Sequence, residues 1–439
     1  MTNDDHPTNA DVEAAYDEYL MPIWKSLDVP VAEATDTTLT DYDGETYLDL
    51  FAGISVTNAG HANEAVVEAA KAQLDRFTHG CSYVHPSRPV ADLAERIAAI
   101  TPGDLQKTFF ANSGTEAVEG AVKLARKHTG ATEVVALEMA FHGRTLGSLA
   151  LTGNHAYKHG MAPTINDVTH APAPYQYRSA YGDLPEEEFA TEAAKELEHV
   201  IGTHTSTDVA AVVVEPVMGE GGIIVPPTGY LERVKEIAHD HGALFVLDEV
   251  QTGYGRTGSM FAADHEGVVP DIMPQAKGIA SGLPLGAFTA PADIADSFES
   301  GDHLSTFGGN PVSCAAALAN IDELQAGIVE NASEQGKWLA DRLADLEADH
   351  AAVGEARGRG LMWGIELVDP DEDGPTARGA APDEQLAGAV SDALHEAGMV
   401  LGTGGYYKNV LRLQPPLTIE RADLERAVDA IDAAIAEHA

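Results

Sequence analysis

The chain has 439 residues, of which 70 are Asp or Glu and 26 are Lys or Arg, so its formal net charge is -44. This length exceeds the usual size of one domain, and 44% hydrophobic residues suffice for a sizeable core, so we expect a large and a smaller domain. Such an acidic surface argues against nucleic acid and anionic membranes as partners, and it is typical of halophilic proteins from a salt-rich cytoplasm.

Other features of the composition indicate a protein of the reducing cytoplasm. Cys81 and Cys314 are too few and too far apart for a disulfide framework or a zinc site. The N-terminus lacks the apolar core of a signal peptide, and no run of about 18 apolar residues predicts a membrane span. The histidines show no metal-ligand spacing such as His-Glu-x-x-His, so no metal site is expected.

Helices and strands are predicted to alternate along the first three quarters of the chain. An acidic helix precedes a hairpin that turns at Asp43-Gly44. Strands are then expected at 107–111, 133–138, 210–215 and 244–248, and helices at 63–77, 90–100, 116–128 and 230–241. This alternation predicts an α/β fold with a mostly parallel sheet.

After residue 310 the pattern changes to long Ala-rich helices and short strands. Helices are expected at 314–324, 333–349 and 421–436, and strands at 360–368, 399–403 and 410–413. The segment 369–384 is rich in Asp, Pro and Gly, which predicts a loop. We therefore predict a large domain at 51–310 and a smaller α+β domain at 311–439, to which residues 1–50 contribute an N-terminal segment.

The stretch from 243 to 286 contains the first candidate for chemistry. Asp248 and Glu249 follow a short apolar strand, at the sheet edge where open α/β folds bind their ligands. A carboxylate in such a place requires a cation or a hydrogen-bond donor. Lys277 follows among apolar and small residues, and a partly desolvated lysine can attack a carbonyl carbon. The stretch therefore predicts a nucleophilic lysine near a carboxylate.

Other polar groups follow strands at what we expect to be the same edge. Residues 112–116 lead into a helix, where N–H groups and hydroxyls either bind phosphate or only cap the helix. At 141–145, an aromatic ring and an Arg either bind a flat ring and a carboxylate or are a core Phe and a surface Arg. Glu215 ends a further strand, Glu220 lies in a Gly-rich loop, and Arg412 in an apolar strand requires a carboxylate partner.

In their order and spacing these stretches resemble the class III (ω-) aminotransferases, which are fold-type I pyridoxal-phosphate enzymes. The resemblance runs from about Leu48 to the C-terminus. The motifs are Asn-Ser-Gly-Thr-Glu-Ala at 112–117, Phe-His-Gly-Arg-Thr at 141–145, Asp-Glu-Val-Gln-Thr-Gly-Tyr-Gly-Arg-Thr-Gly at 248–258, Ala-Lys-Gly at 276–278 and Thr-Phe-Gly-Gly-Asn-Pro at 306–311. The resemblance implies a large domain with a mostly parallel sheet and a smaller α+β domain.

The resemblance also implies a role for each matching residue at the cofactor. Lys277 forms the internal aldimine with pyridoxal 5'-phosphate, and Asp248 pairs with the pyridinium nitrogen, which keeps the ring an electron sink. The remaining cofactor-binding residues are Phe141 and Val250 on the ring faces, Gln251 at the phenolic oxygen, Glu215 supporting Gln251, His142, and Ser113, Gly114 and Thr115 at the phosphate. Thr306 reaches the phosphate in the neighbouring subunit's site, which implies a homodimer or a higher homo-oligomer with shared active sites.

The substrates are implied by a second set of residues. Glu220 and Arg412 resemble the gate of the ornithine, acetylornithine and 4-aminobutyrate branches. Arg412 pairs with Glu220 when an ω-amine is donated, and it is released to bind the α-carboxylate of glutamate or 2-oxoglutarate. Arg144 holds the distal carboxylate, and Ile54 makes an apolar contact. The resemblance thus implies transfer from an ω-amino acid, with 4-aminobutyrate the best match, to 2-oxoglutarate.

Several alternatives remain open from the sequence. Alanine–glyoxylate aminotransferases share many of the motifs but usually lack counterparts of Arg144 and Glu220. Racemases of neutral amino acids or ornithine share the scaffold. The presence of Lys277 and Asp248 argues against a pyridoxal-phosphate protein without turnover, since neither residue is needed to keep a fold. A nicotinamide oxidoreductase would need a dinucleotide glycine motif, which is missing.

Overall fold

The computed structural model describes residues 7–23, 29–165, 167–376 and 378–439. Residues 1–6 and 24–28 of the expected N-terminal segment lie outside these described residues. In the described part, the helices are α1 Asn9–Tyr19, α2 Glu64–Leu74, α3 Arg88–Ile100, α4 Gly114–Thr129, α5 Leu146–Leu151, α6 Glu186–His204, α7 Tyr230–Asp240, α8 Ala292–Ala295, α9 Pro311–Glu323, α10 Val329–Asp349, α11 Glu384–Glu396 and α12 Arg421–His438.

The strands are numbered in the same way. They are β1 Val31–Thr35, β2 Thr38–Asp41, β3 Thr46–Asp49, β4 Lys107–Ala111, β5 Glu133–Leu137, β6 Val168–Ala171, β7 Val209–Val214, β8 Leu244–Leu247, β9 Met273–Gln275, β10 Gly286–Ala290, β11 Val353–Arg359, β12 Met362–Asp373, β13 Ala380–Pro382, β14 Met399–Val400, β15 Gly402–Gly404 and β16 Val410–Leu413. The predicted hairpin is β2–β3, and β4, β5, β7 and β8 lie within one residue of their predicted bounds.

A central sheet organises the large part of the fold, with the strand order β6-β5-β7-β8-β9-β10-β4 among the described residues. The strands from β6 to β8 pair in parallel, and a parallel bridge between Val246 and Ile272 joins β8 to the strand β9. β10 is antiparallel to both of its neighbours. All of β7 is buried, as expected for a strand with both faces covered. The predicted α/β fold with a mostly parallel sheet is confirmed.

Apolar side chains fill both faces of this sheet. Val135 and Val212 belong to one buried cluster, and their chain neighbours Val134 and Val213 belong to another. Successive residues of the same strand therefore point to opposite faces, as the pleat requires. Within the described ranges, none of the helices is long and apolar enough to cross a membrane.

Further strands bring the two ends of the chain together. β1, β2 and β3 pair antiparallel, and β3 pairs in parallel with β14, with Leu48 opposite Met399. β11, β12, β16 and β15 form another antiparallel sheet, in which Gly364 lies opposite Arg412. The N-terminal strands thus pair with the C-terminal part of the chain.

Two segments to which the sequence analysis assigned no helix or strand are structured. Between β5 and β7 lie β6 and the 19-residue helix α6, in which Phe189 and Leu197 are buried. The predicted loop 369–384 instead continues β12 to Asp373 and returns as β13, before Asp383 caps α11. The loop prediction was wrong because β13 forms by pairing with β12, which an acidic, Pro- and Gly-containing segment does not reveal. Helix α6 was missed although its buried apolar residues recur at helical spacing.

Glu249, the second residue after β8, makes stability depend on pH. Its buried carboxylate accepts hydrogen bonds from the Thr252 hydroxyl and, at 2.8 Å, from the Ala263 N–H, yet burial raises its pKa to about 7 from 4.5. The folded state therefore binds this proton more tightly than the unfolded chain does. Its contribution to stability is lost as the pH rises from about 4.5 through about 7.

We expect Glu249→Gln to stabilise the protein above pH 7, by about 3 kcal/mol at most, because the amide is never charged. The Thr252 hydroxyl can rotate to accept from the new amide. The thermal midpoint, followed by calorimetry from pH 5 to 8, should rise relative to the unmodified protein as the pH increases. The exposed Glu232→Gln is the control, and a difference that does not change with pH would refute the role of the charge.

Candidate active site

Several loops meet at the carboxyl edge of the central sheet and enclose a cavity of about 400 Å³. The segments after β5, β7 and β8 reach it, together with the start of α4 and the turn after β9. Its lining residues are Val56, Asn112, Ser113, Gly114, Thr115, Phe141, His142, Gly143, Arg144, Glu215, Asp248, Val250, Gln251, Ala276, Lys277, Gly282, Leu283, Pro284 and Leu285. The fold therefore gathers most of the residues singled out in the sequence around one cavity.

The N-terminus of α4 forms one end of the cavity. Ser113 is the N-cap, and its Oγ accepts from the Glu116 N–H at 3.4 Å. The N–H groups of Gly114 and Thr115 in the first turn have no intrahelical acceptor, and they lie at the positive end of the helix dipole. A Cβ at Gly114 would lie 2.7 Å from Val250 Cγ1, so glycine permits this close approach. This end is suited to an anion such as phosphate.

Asp248 is a buried carboxylate with a buried histidine behind it. Its Oδ2 lies 2.7 Å from His142 Nδ1, and its Oδ1 accepts from the Val250 N–H at 3.0 Å. Burial alone would lower the pKa of His142, but the hydrogen bond to Asp248 and the charges of the carboxylates raise it. His142 therefore favours a negatively charged Asp248 facing the cavity.

Glu215 and Gln251 lie in the wall without bonding to each other. The Glu215 carboxylate accepts from the N–H groups of Phe141, at 2.9 Å, and Gly219, at 3.1 Å. Burial raises the pKa of Glu215 to about 7. The buried Nε2 of Gln251 has no hydrogen-bond partner among the described residues. Glu215 thus positions two backbone segments rather than Gln251, and Gln251 retains a donor for a ligand.

Lys277 lies in a short turn with a left-handed backbone, at φ +47°. The buried Asn320 side chain holds this turn by donating to the carbonyls of Gly278, at 2.8 Å, and Ile279, at 3.0 Å. Burial lowers the pKa of Lys277, against the opposing charges of nearby carboxylates. Among the described residues no ion pair joins Lys277 to Asp248. The lysine and the aspartate are therefore two separate functional groups on one cavity.

A chain of polar contacts continues from the cavity toward Arg412. Arg412 Nη1 lies 2.6 Å from Glu220 Oε2, and the Tyr157 hydroxyl donates to Glu220 Oε1 at 2.8 Å. The Arg144 guanidinium stacks on the Tyr157 ring at 3.9 Å. Burial would raise the pKa of Glu220, but the Arg412 charge and the bond from Tyr157 lower it. Glu220 is therefore a charged partner of Arg412.

The structure does not bring every predicted residue to the cavity. Ile54 is 43% exposed in a left-handed turn at Ala52–Ser55, and Thr306 is exposed as well. Neither residue lines the cavity of this chain, and Glu220 and Arg412 lie outside its lining as well. The sequence does not single out Tyr157 or Asn320, because Tyr157 lies in one short 3₁₀ turn without periodicity and Asn320 resembles an ordinary helix residue. Only their tertiary contacts identify them.

Comparisons with known proteins agree with this geometry. The family model described as Aminotransferase class-III matches residues 22–435. A 4-aminobutyrate aminotransferase of Mycobacterium tuberculosis (strain ATCC 25618 / H37Rv) is 40% identical over 422 residues, which are 94% of this chain and 92% of that protein. An acetylornithine aminotransferase of Methanopyrus kandleri is 40% identical over 419 residues, 95% of this chain and 97% of that protein. A solved (S)-enantioselective omega-transaminase of Thermomicrobium roseum superposes with a TM-score of 0.90 at 33% identity, covering 98% and 99% of the two chains.

Proposed function

Because the chain belongs to the class-III aminotransferases, we propose that it transfers the amino group of an ω-amino acid, 4-aminobutyrate foremost, to 2-oxoglutarate. The observation that carries this proposal is the 2.6 Å ion pair between Glu220 and Arg412, linked through Tyr157 to Arg144 at the cavity. Two arginines near one cavity suit an acceptor with two carboxylates.

Enzymes of this family depend on pyridoxal phosphate, and we propose that the 400 Å³ cavity holds it. The donor of Gln251 that has no partner and the close approach at Gly114 support the fit. The residues that would hold the cofactor are Ser113, Gly114 and Thr115 at the phosphate, Phe141 and Val250 at the ring faces, Gln251 at the phenolic oxygen, Asp248 backed by His142 at the ring nitrogen, and Lys277 at the aldehyde, with Glu215 holding the surrounding backbone.

Bound there, pyridoxal phosphate supplies the electron sink for the negative charge that remains when the substrate carbon loses its proton. Lys277 is the group that moves this proton, because burial lowers the pKa of its amine and so favours the neutral, basic form. Asp248 keeps a negative charge in the wall of the cavity, where His142 stabilises it. The burial of both groups keeps water from competing for the proton.

The arginines account for the use of two different substrates in turn. Arg144 binds the distal carboxylate, which both substrates carry. When 4-aminobutyrate is bound, Arg412 remains paired with Glu220, so that no unpaired charge faces the amine. When 2-oxoglutarate or glutamate is bound, Arg412 leaves Glu220 and binds the α-carboxylate as a fork. Glu220 then retains its hydrogen bond from Tyr157.

A second candidate function is transfer from acetylornithine or ornithine. A relative named for acetylornithine is as similar as the one named for 4-aminobutyrate, and the Glu220–Arg412 pair suits either donor. Amino-acid racemisation on the same scaffold is the remaining alternative.

We propose a homodimer with shared active sites. Thr306 is exposed between Leu304 and Phe307, which are 65% and 63% exposed. Exposed apolar side chains of this size support an interface with another subunit. In that assembly Thr306 would reach the phosphate of the partner's site, and Ile54 would line the substrate entrance.

We further propose the large domain at 51–310 and the smaller one at 311–439 with 1–50. The pairing of β3 with β14 supports this division.

The net charge of -44 supports the proposal that the protein acts in a salt-rich cytoplasm, because high salt screens the repulsion between acidic groups.

A panel of donors tests the function. Purified protein in high salt is mixed with pyridoxal phosphate, 2-oxoglutarate and, in separate reactions, 4-aminobutyrate, ornithine, acetylornithine, alanine or a D-amino acid. We expect glutamate to form fastest with 4-aminobutyrate. If no donor yields glutamate, the aminotransferase reaction with 2-oxoglutarate is disproved, and racemised product without an oxo acid would favour the racemase.

We expect Arg412→Gln to lower kcat/KM for glutamate by about 10- to 100-fold, because a charged hydrogen-bond pair to the α-carboxylate is lost. The loss with 4-aminobutyrate should be smaller. Both values come from the half-reactions, followed separately through the cofactor absorbance. Arg421→Gln, at a partly buried arginine that bonds Gln335, is the matched control. Equal losses with both donors would contradict the assigned role of Arg412.

A further inference from the structure

The loop that carries Glu220 is held at both ends. At one end the Gly219 N–H donates to Glu215 Oε2 at 3.1 Å. At the other end the Gly222 carbonyl accepts two hydrogen bonds from one guanidinium, from Arg357 Nε at 3.1 Å and from Nη2 at 2.6 Å. Arg357 lies on β11, outside the cavity. A residue that contacts neither the cavity nor Arg412 thus restrains the backbone two residues from Glu220.

Arg357 is part of a buried ionic cluster, which we define as Arg178, Arg357 and Glu366. Arg357 is 9% exposed and its Nη1 lies 2.8 Å from Glu366 Oε2. Glu366 is 1% exposed and accepts from Arg178 Nε at 2.7 Å and from the Tyr175 hydroxyl. The same Nη1 of Arg357 also pairs with the half-buried Glu355 at 2.8 Å.

The cluster also lies beside the strand that carries Arg412. Glu366 is on β12, which pairs antiparallel with β16. In that register Gly364 lies opposite Arg412, and Glu366 lies opposite Val410. Gly364 packs against the same loop, because a Cβ there would lie 3.0 Å from the Gly222 oxygen. The cluster therefore fixes the position of the Glu220 loop relative to the strand of Arg412.

Burying charged side chains costs desolvation free energy, and apolar side chains of similar volume often stabilise a fold equally well. A guanidinium, however, can donate to the Gly222 carbonyl and to Glu366 at the same time in a fixed fork. This combination joins the loop to the sheet with a defined direction, which apolar packing does not provide.

We propose that the buried ionic cluster is a positioning element that determines substrate specificity, with Arg357 as its central residue. It holds Glu220 where Glu220 can pair with Arg412 while an ω-amino acid is bound. A loosened loop would leave Arg412 without its partner in that half-reaction, whereas glutamate brings its own α-carboxylate for Arg412. This inference rests on the proposed exchange between an ω-amino acid and 2-oxoglutarate.

The test is Arg357→Lys, which keeps the positive charge but loses the fork. We expect kcat/KM for 4-aminobutyrate to fall about tenfold, and kcat/KM for glutamate to change by less than about twofold. Each half-reaction is followed by rapid mixing through the cofactor absorbance. Arg359→Lys, two residues along the same strand and paired with Glu266, is the matched control and should leave both values unchanged. A purely structural role would lower both values together.

Gly222→Ala changes the loop side of the contact and leaves all three residues of the cluster in the sequence. Its Cβ would lie 3.2 Å from each of Arg357 Nη2, Gly405 Cα and Val410 Cγ2, on a backbone with φ of +115°, so the loop must shift. We expect the same change in the ratio of the two kcat/KM values. If Arg357→Lys does not fold, Gly222→Ala alone tests the proposal. Glutarate is a dicarboxylate that cannot react. In calorimetric titration, Gly222→Ala should bind glutarate at least as tightly as the unmodified protein does.

The two possible failures are distinguishable. If the unmodified protein does not accept an ω-amino acid, the proposed function fails. If it accepts both donors and the ratio of the two kcat/KM values is unchanged in the variants that fold, the role of the cluster is refuted.

Discussion

Replacing Lys277 with alanine is expected to lower kcat by about 10⁴-fold, the upper end of what a positioned general base contributes. Lys277 lies in the wall of the cavity, and burial lowers the pKa of its amine, so this residue can take up and return a proton. The variant should still bind pyridoxal phosphate, because the phosphate end at α4 and the face at Phe141 remain. Steady-state turnover measures kcat, and equilibrium dialysis measures the binding of the cofactor.

Three comparisons separate the proton-transfer role from a loss of charge or of fold. Lys277→Arg should be as inactive as the alanine variant, because a guanidinium stays protonated. Added methylamine should restore part of the turnover of Lys277→Ala, because it supplies a neutral amine. Lys158→Ala, at another partly buried lysine, should remain within about twofold of the unmodified protein. Full activity in Lys277→Ala would refute the assignment.

Asp248→Asn is expected to lower kcat by about 10²- to 10³-fold, as for the loss of a preorganised electrostatic partner. The asparagine fills the same volume, but it removes the negative charge that the site directs at the cavity. The same change acts on His142, whose pKa is raised by its hydrogen bond to Asp248. NMR titration should therefore show His142 losing its proton at a lower pH in the variant.

Asp271 provides a matched control for this experiment. It also pairs with a histidine, His239 at 2.8 Å, and accepts from a backbone N–H, that of Phe245 at 2.7 Å, but it does not line the cavity. Asp271→Asn should leave kcat within about twofold. An Asp248→Asn protein with full turnover and an unchanged His142 titration would exclude Asp248 as the electrostatic partner.

Local patterns in the sequence revealed most of the central sheet and most of the cavity wall. The apolar runs that became β7 and β8 are too short for helices, and each ends in a carboxylate, Glu215 or Asp248. Parallel strands bring such ends to one edge. The helix beginning after Ser113 was equally visible, because a small polar residue before a helical pattern is an N-cap signal.

The return strand β13 had no local signal, because it forms only by pairing with β12. Helix α6 did have one, since Phe189, Ala193 and Leu197 recur at helical spacing after an acidic first turn, but this signal was missed. The family resemblance also implied that Glu215 supports Gln251, whereas the carboxylate accepts hydrogen bonds from the backbone N–H groups of Phe141 and Gly219. Hydrogen-bond partners between loops depend on angles and distances of a few tenths of an ångström, which residue types do not encode.

The sequence by itself determined the fold class, the strand ends and the residue types of the candidate site, because helix and strand periodicity and capping are properties of neighbouring residues. Only the tertiary structure decided which side chains meet. It placed His142 behind Asp248, Asn320 under the turn of Lys277, and Arg357 against the loop of Glu220. Residues so far apart in the chain come together only when the packed core fixes their distances, and the shift in the pKa of a buried group arises only from that packing.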